Sequence, residues 1–176
     1  MNVWDAVRTK RAIRQFDGRP LAPEHLERIV RAGTRAHSSK NQQRWAFIVV
    51  EDRGRLTALS TTGRYAGHLA GAAAAVALVT PDPQGPGHPL SVVWDVGGAA
   101  AQMMLVAWEL EIGSCPATVY EHDRAREILG YPKDMWCEYI LSFGYPADPS
   151  QLTAPPKAGG RRPLDEVRFR ERWGDR

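Results

Sequence analysis

The sequence predicts one α+β domain, from its length, its composition and the irregular order of its strand-like and helix-like stretches. The chain has 176 residues, of which 43% are hydrophobic and 24% are charged, as in an ordinary soluble domain with its own core. Strands and helices do not alternate regularly, which favours α+β over repeated βαβ units. Residues 1–176 are therefore predicted to form a single domain, with a Pro-, Gly- and Ala-rich connector and tail at 146–176.

The first third of the chain predicts two helices and one strand around a polar loop. Residues 2–9 have the apolar spacing of a short helix, and an amphipathic helix is predicted from Pro23, which suits a first helical turn. The polar stretch 36–45 has neither helical nor strand periodicity. It leads directly into the β-branched run 46–50, so we expect a loop held at the start of a strand, where ligand contacts are common.

The remaining elements centre on two strands and one long helix. Residues 75–79 are apolar throughout, which is typical of a strand buried on both faces. A long helix is predicted over 91–111, ended by Gly113, and its largely apolar surface places it in a core or in a subunit interface. The last clear strand is 139–145. Shorter stretches are predicted as helices at 53–60, 63–71 and 121–129, as a loop at 81–89, and as a strand or loop at 114–119.

Charge and cysteine content disfavour several classes of protein. The net charge is only +3, and Phe16 is the one aromatic residue within the first cationic cluster, so a nucleic-acid-binding module ranks last. Cys115 and Cys137 lie far apart without a CxxC pair, which argues against a zinc site and favours free, buried thiols in a reducing compartment. With no signal peptide and no apolar run long enough to span a membrane, we expect a cytoplasmic protein.

Three cations, Lys10, Arg11 and Arg14, lie close together after the first predicted helix. In an extended segment side chains alternate between faces, so Lys10 and Arg14 would share one face with Ala12. Arg11 would lie on the other face together with Ile13, and the segment would be anchored through Ile13 or Phe16. Guanidinium groups suit phosphate because their donors form a rigid fork. Taken alone, the segment is either a solvated charge run or one wall of an anion site.

The sequence carries no recognisable set of catalytic side chains. It lacks the GxSxG, HExxH and GxxxxGK[ST] motifs, and its five histidines have no metal-binding spacing, so no metal site is predicted. Cys115 has no paired histidine in the sequence pattern, and a buried structural thiol is favoured over a nucleophile. This pattern favours chemistry carried by a bound cofactor, for which the protein supplies binding and electrostatics.

Four segments, in this order and spacing, resemble the flavin-dependent nitroreductase family. They are KRAIRQF at 10–16, SSKNQQRWAF at 38–47, the series Asp95, Gln102 and 113–115, and RPLDEV at 162–167. The family usually has approximately R-R-S-[IV]-R-x-F in the first and P-S-x-x-N-x-Q-P-W-x-F in the second. The chain is short and departs from the family pattern at Ala12 for serine, Arg44 for proline and Met103 for asparagine. Weak FMN retention or an unusual acceptor is therefore an open expectation.

The resemblance implies an α+β, nitroreductase-like fold with a central mixed or antiparallel sheet flanked by helices. It also implies a homodimer with FMN at the dimer interface, in which the tail at 146–176 could extend onto the partner subunit. The expected reaction is hydride transfer from NAD(P)H to FMN, followed by reduction of a nitro compound, a quinone or a related small-molecule acceptor. Two alternatives stay open: a flavoenzyme of the same fold that catalyses dehalogenation or dehydrogenation, and a non-catalytic flavin- or nucleotide-binding protein.

The resemblance assigns five groups of cofactor contacts and leaves the chemistry to the flavin. The phosphate, ribityl chain and pyrimidine edge of FMN would be approached by Lys10, Arg11 and Arg14, and by the backbone around Ala12. The flavin of the partner subunit would be reached by His37, Ser38, Ser39 and Asn41. The isoalloxazine ring would lie near Pro116, Ala117 and Thr118, with a backbone N–H near Thr118 directed at N5. The phosphate site would be closed by Arg161 or Arg162, and the pyrimidine end would be near Arg64 and Tyr65.

Overall fold

The computed structural model describes residues 1–86, 90–155 and 160–175. Its centre is a four-stranded antiparallel sheet with the strand order β1-β2-β4-β3. The strands are β1 (Ala46–Val50), β2 (Ala74–Pro81), β3 (Gly113–Thr118) and β4 (Met135–Gly144). The predicted α+β fold is confirmed, and of the two predicted kinds of sheet the antiparallel one is found.

Helices cover both faces of this sheet in the described parts of the chain. The α-helices are α1 (Val3–Thr9), α2 (Pro23–Thr34), α3 (Arg53–Leu59), α4 (Ser91–Glu109), α5 (His122–Leu129) and α6 (Leu164–Val167). Short 3-10 turns are found at Ser39–Asn41, Ala66–Gly71 and Pro149–Leu152. No helix among the described residues has the length and apolar character needed to cross a membrane. Residues 87–89 of the predicted 81–89 loop, and 156–159 of the predicted connector, lie outside the described residues.

The sheet buries both of its faces. On one face Val76 and Phe143 belong to the hydrophobic cluster that contains the apolar sides of α2 and α4. On the other face Ala77 and Ile140 pack in a second cluster, with side chains from α3, α5 and the Ala66–Gly71 turn. Every residue of β2 before Pro81 is buried, which agrees with the prediction of a strand covered on both sides.

The N-terminal segment that follows α1 runs along the outer edge of β3. Ala12 forms a parallel bridge with Ser114, and the Ile13 amide donates a 3.0 Å hydrogen bond to the Ser114 carbonyl. The Ile13 side chain is fully buried beside Ala6 and Trp108. Of the two predicted anchors, Ile13 is the fully buried one and Phe16 is partly buried, and the cations are held against an edge strand.

The end of α4 differs from the prediction. The helix stops at Glu109, and Glu111 takes the left-handed conformation, with a φ of 60°. The prediction that Gly113 ends the helix was wrong, because Gly113 is the first residue of β3. A Cβ atom at Gly113 would lie 2.6 Å from the Cβ of Ile13, so this glycine permits the close approach of the N-terminal segment.

Strand β4 begins earlier than predicted because it contains a β-bulge. Leu78 of β2 opposes Tyr139, whereas the next residue, Val79, opposes Cys137. Glu138 is thus the extra residue, and it breaks the alternation of side chains along the strand. Because apolar alternation is the signal by which a half-buried strand is predicted, the part of β4 before the bulge was missed.

Candidate functional site

The stretch from Lys10 to Arg14, called here the cationic segment, points its side chains in two directions. Burial raises the pKa of the Cys115 thiol, and the nearby charges of Arg14 and Lys10 partly oppose that rise. Arg11 turns away from Cys115, and its guanidinium donates to the carbonyl of Ala154 in the C-terminal connector. Lys10 and Arg14 therefore share one side of the segment and Arg11 takes the other, as side-chain alternation predicts.

A cavity of about 1050 Å³ lies beside this segment and is called here the cationic cavity. Lys10, Arg11 and Ala12 line it from the N-terminal segment, and Arg161 lines it from the C-terminal tail. Burial lowers the pKa of Lys10, the thiol of Cys115 opposes this, and the charge of Arg161 lowers the pKa further. Cations from two distant parts of the sequence therefore converge on one space, which suits an anion with several oxygen atoms.

A second cavity, of about 490 Å³, lies between α4 and the sheet and is called here the apolar cavity. Its walls include Pro116 of β3, Tyr139 of β4, and Ala100 and Met104 of α4. Lys10 connects the two cavities, because its Nζ atom lies 3.4 Å from the sulfur of Met104. An apolar space of this size, with a cation at one end, suits a planar ring that carries a charged group.

The outer edge of β3 offers a backbone amide near this junction. In an antiparallel strand, successive residues turn their N–H and C=O groups alternately toward and away from the neighbouring strand. The Val119 amide donates to Glu138 of β4 at 2.9 Å, and the Ser114 carbonyl faces the N-terminal segment. By the same alternation, the N–H of Thr118 points away from β4. Gly63 borders this edge, where a Cβ atom would clash with the Thr118 carbonyl.

Four residues with predicted cofactor contacts, Ala117, Arg162, Arg64 and Tyr65, line neither the cationic nor the apolar cavity. The side chain of Ala117 lies in the hydrophobic cluster on the opposite face of the sheet, so only its backbone is near the edge. Arg162 pairs with Glu166 at 3.2 Å, which leaves Arg161 as the tail arginine of the cationic cavity. Arg64 is exposed and lies 5.4 Å from the centre of the exposed Tyr65 ring. Neither residue of this pair is among those that line the two cavities.

The polar loop between α2 and β1 lies against the first half of α4. The Ser39 amide donates a 2.9 Å hydrogen bond to the buried carboxylate of Asp95, and Ser38 Oγ accepts a 3.0 Å hydrogen bond from within the loop. His37 is exposed, and Asn41 has a left-handed φ of 53°. Asp95 thus fixes the backbone of this loop, a role that the sequence pattern alone did not reveal.

This loop is separated from the cationic cavity within one chain. Ser39 contacts Asp95 on α4, whereas Lys10 contacts Met104 further along the same helix. At the usual helical rise, Asp95 and Met104 lie roughly 13 Å apart along the axis. The structure therefore brings the predicted contacts together in two groups, one at each half of α4, and it does not place His37 beside Lys10.

Sequence reasoning missed a buried polar chain under β3. His68 is only 9% exposed, and its Nδ1 atom lies 2.8 Å from Ser142 Oγ. Ser142 in turn donates to the Cys115 carbonyl at 3.1 Å. Burial lowers the pKa of His68, the charge of Arg14 lowers it further, and the Pro116 carbonyl opposes these effects. The available signal was a serine within an apolar strand, since a buried hydroxyl requires a partner.

Comparisons with known proteins identify the family and the fold. A sequence model described as the Nitroreductase family matches residues 7–75 and 59–145. A protein of Archaeoglobus fulgidus, named for NADH dehydrogenase and NAD(P)H nitroreductase activity, is 33% identical over 95% of this chain and 96% of its own length. The solved structure of an FMN-dependent nitroreductase from Clostridium difficile R20291 is 26% identical, with a TM-score of 0.78 over 93% of this chain and 96% of that chain. Nitroreductase A from Vibrio parahaemolyticus, at 22% identity, shares the fold with a TM-score of 0.86 over 99% and 78% of the two chains.

Proposed function

The chain belongs to the nitroreductase family and is an NAD(P)H oxidoreductase, and from this premise we propose that it is FMN-dependent and reduces nitro compounds, quinones or a related acceptor. The observation that carries the proposal is the meeting of the cationic and apolar cavities at Lys10. FMN has matching parts, namely a dianionic phosphate at one end and a planar ring at the other. The proposed setting is the cytoplasm, where the free thiols Cys115 and Cys137 stay reduced.

The phosphate of FMN would be held by cations from both ends of the chain. Lys10 and Arg11 line the cationic cavity on one side and Arg161 lines it on another. Charge-assisted hydrogen bonds from such groups to phosphate oxygens are stronger than neutral ones. Because Ala12 has no hydroxyl group to offer, these cations and the backbone would carry the phosphate binding.

Arg14 and Thr118 would orient the ring and tune its electronics. FMN, when bound, supplies the hydride and electron transfer, and the protein adjusts this chemistry through nearby charges and hydrogen bonds. The positive charge of Arg14 would stabilise the pyrimidine edge in its reduced, more anionic form. The Thr118 N–H, which points away from β4, would donate at N5, and the exposed Pro116 would cover part of one ring face.

The proposal includes a homodimer centred on α4. Trp94 is 72% exposed and Val93 is 51% exposed, while Gly97 and Ala101 continue the same side of the helix with small residues. An exposed apolar stripe with small residues allows another helix to approach closely. The occupant would be a second copy of this chain, because the loop 37–41 lies too far along α4 to reach its own cationic cavity. In the dimer, His37, Ser38, Ser39 and Asn41 would instead reach the flavin of the partner subunit.

The C-terminal tail favours the same arrangement. Leu164 is 64% exposed and Trp173 is 89% exposed on the single chain. Large apolar side chains gain stability when another surface covers them. We therefore propose that residues 146–176 are part of the single domain 1–176 and extend onto the partner subunit.

The visible spectrum of the purified protein tests the cofactor and the reaction. We expect a yellow protein with flavin bands that NADH or NADPH bleaches under argon, and faster reoxidation when a nitroaromatic compound or a quinone is added. A colourless protein that cannot be reconstituted with FMN would contradict the proposal. Bleaching without faster reoxidation by these acceptors would favour dehalogenation, dehydrogenation or a binding role.

Sedimentation of two matched variants tests the dimer. Ala101→Glu introduces a charge into the exposed stripe of α4, and Thr57→Glu introduces the same charge at an exposed position on α3, on the other face of the sheet. We expect Ala101→Glu to yield monomers with weakened FMN binding and Thr57→Glu to remain dimeric. Wild-type protein that sediments as a monomer at working concentration would contradict this part of the proposal.

A further inference from the structure

A carboxylate lies in the wall of the apolar cavity, close to the strand edge that would hold the flavin. Glu138 and Trp136 both line this cavity from β4. The backbone carbonyl of Glu138 accepts the Val119 amide at 2.9 Å, and Val119 follows Thr118, whose N–H is the proposed donor to N5. Adjacent strands of a sheet lie about 5 Å apart. A small molecule that takes electrons from the flavin in this cavity would therefore come close to the Glu138 side chain.

His122, at the start of α5, lies behind this carboxylate. Its ring stacks on the Trp136 indole, with the ring centres 3.8 Å apart and an angle of 27° between the two planes. Glu138 Oε2 accepts the indole N–H of Trp136 at 2.9 Å, and the same oxygen lies 3.9 Å from His122 Nε2. Trp136, Glu138 and His122 are called here the Glu138 cluster. His122 is not among the residues that line the cavity, so it acts on the cavity through the other two.

Glu138 is the charged group that faces the His122 ring most directly. The Nδ1 atom of His122 is enclosed and has no hydrogen-bond partner among the described residues, which leaves Nε2 as the nitrogen that faces a charge. The neighbouring Asp123 is paired with Arg126 at 2.7 Å, and the Tyr131 hydroxyl donates to the His122 backbone carbonyl at 3.2 Å. A positive charge gained by the imidazole is therefore balanced by Glu138.

Protonation of His122 would change the charge at this wall of the cavity. Imidazole is the side chain whose charge ordinarily changes between about pH 5 and about pH 8. While the ring is neutral, the Glu138 carboxylate presents an unopposed negative charge to the cavity. Once the ring is protonated, its positive charge lies 3.9 Å from the carboxylate oxygen, and the pair becomes neutral as a whole. The side chains of His122 and Glu138 are 22% and 45% exposed, so solvent screens part of this change.

We propose that His122 is a positioning residue that acts through Glu138 and sets the charge of the acceptors that the enzyme prefers. With a neutral His122, the site favours uncharged nitroaromatic compounds and quinones over anionic ones. With a protonated His122, it also admits aromatic acceptors that carry a carboxylate, because the charge of Glu138 is then compensated. The consequence for the acceptor rests on the proposed function, whereas the coupling within the Glu138 cluster is a property of the protein alone.

The NMR signal of the Trp136 indole N–H, in protein without cofactor, tests the cluster independently of any reaction. The signal is assigned by its loss in Trp136→Phe, and we expect it to shift between about pH 8 and about pH 5.5 as His122 takes up a proton. His122→Phe keeps a stacking ring that cannot be protonated, so the signal should then stay constant. His25→Phe is the matched control at a histidine 3.4 Å from the Tyr145 hydroxyl, and it should leave the shift as in the wild type. A wild-type signal that stays constant, or one that still shifts in His122→Phe, overturns the proposal.

The ratio of kcat/KM for nitrobenzoate to that for nitrobenzene, measured at each pH, tests the choice of acceptor. Nitrobenzoate stays anionic over this range, and both compounds take electrons from the same reduced cofactor, so effects of pH on the flavin and on the hydride donor cancel in the ratio. We expect the ratio to rise about two- to threefold from about pH 8 to about pH 5.5 in the wild type and in His25→Phe. In His122→Phe it should keep its high-pH value throughout.

The outcomes separate this inference from the proposed function. A ratio that does not change with pH in the wild type, or that rises equally in His122→Phe, overturns the inference while the proposed function stands. If wild-type protein reduces neither compound, the proposed function fails, and the Trp136 signal alone then supports or overturns the coupling within the Glu138 cluster.

Discussion

The backbone amide of Ile13 donates a 3.0 Å hydrogen bond to the carbonyl of Ser114, and this pairing joins the cationic segment to the edge of β3. Lys10 and Arg14 lie on either side of the joined residue, and both act on the Cys115 thiol. Further along the same edge, the N–H of Thr118 points away from β4. Two cations and a hydrogen-bond donor are therefore arranged along one strand edge, as a ligand with a charged end and a ring would require.

Gly113→Ala should loosen this edge. The added Cβ atom would lie 2.6 to 2.8 Å from side-chain atoms of Ile13, which is fully buried and has little space to move. We expect a loss of about 1–3 kcal/mol in the free energy of unfolding, measured with urea, together with weaker FMN binding. Gly67→Ala is the control, since a Cβ atom there meets nothing within 4 Å. Equal stability of the two variants would show that Ile13 yields without cost.

Arg14→Ala should weaken FMN binding more than Arg8→Ala. Arg8 also lines the cationic cavity, but its guanidinium is paired with Asp5 at 2.8 Å on the exposed side of α1. Arg14 lies instead beside Cys115 and His68, on the side of the segment that faces β3. We expect about a tenfold or larger loss of affinity for Arg14→Ala in a flavin fluorescence titration, and a smaller loss for Arg8→Ala. Equal affinities would remove the special role of Arg14.

The sequence predicted those parts of the fold in which one local signal decides the structure. Residues 46–50 were predicted as a strand and are β1, because β-branched residues run without interruption up to a charged residue. The first part of β4 was missed because the bulge at Glu138 places consecutive residues out of alternation. The end of α4 was misplaced because the left-handed conformation that follows the helix is taken by Glu111. Glycine is the usual residue for that conformation, so Gly113 was predicted to end the helix.

Some features of the candidate site could likewise be predicted from local sequence, whereas others depend on contacts between residues that are distant in the chain. The opposite directions of Lys10 and Arg11 follow from strand alternation alone, and the structure shows them. The choice of Arg161 over Arg162 depends on a pairing with Glu166 that local sequence does not decide. The contact between His68 and a serine of β4 joins residues that are distant in the chain, so only the folded structure reveals it.

Asp95→Ala should release the polar loop between α2 and β1. Asp95 is 5% exposed, and its carboxylate accepts the Ser39 amide at 2.9 Å. Removing a charged acceptor from a partly buried amide costs about 1–3 kcal/mol, and we expect this loss in urea unfolding. Hydrogen exchange at Ser39 should also become faster. Asp123→Ala removes an exposed carboxylate that pairs with Arg126, and this control should leave the unfolding midpoint unchanged.

The buried side chains of Tyr131 and Cys137 should make the fold less stable at alkaline pH. Burial raises the pKa of Tyr131 from 10.0 to about 12 and that of the Cys137 thiol from 9.0 to about 12. Both groups ionise more readily in the unfolded chain, so the stability they contribute is fully present below their ordinary pKa values. That stability is lost as the pH rises from these values toward about 12.

Urea midpoints measured at increasing pH test this sensitivity. We expect them to fall across the alkaline window, and Tyr131→Phe should make the fall shallower because one of the two ionising groups is gone. Tyr65→Phe, at a side chain that is 67% exposed, should leave the slope as in the wild type. An unchanged slope in Tyr131→Phe would show that Tyr131 does not couple folding to pH.

Glu138→Gln should change which acceptors the enzyme prefers. Glu138 and Trp136 both line the apolar cavity, where Glu138 Oε2 accepts the Trp136 indole N–H at 2.9 Å. A carboxylate at this wall repels an anionic acceptor and leaves a neutral one unaffected. The Glu138 side chain is 45% exposed, so solvent screens part of this repulsion and the effect should be modest.

The ratio of kcat/KM for nitrobenzoate to that for nitrobenzene measures the effect of this charge. We expect Glu138→Gln to raise the ratio about three- to fivefold, since a screened charge at this range is worth a fraction of a kcal/mol to about 1 kcal/mol. Glu127→Gln, on the exposed side of α5, is the control and should leave the ratio unchanged. If Glu138→Gln changed both acceptors equally, its carboxylate would act on the flavin or on the fold, because only a charge facing the acceptor distinguishes the two compounds.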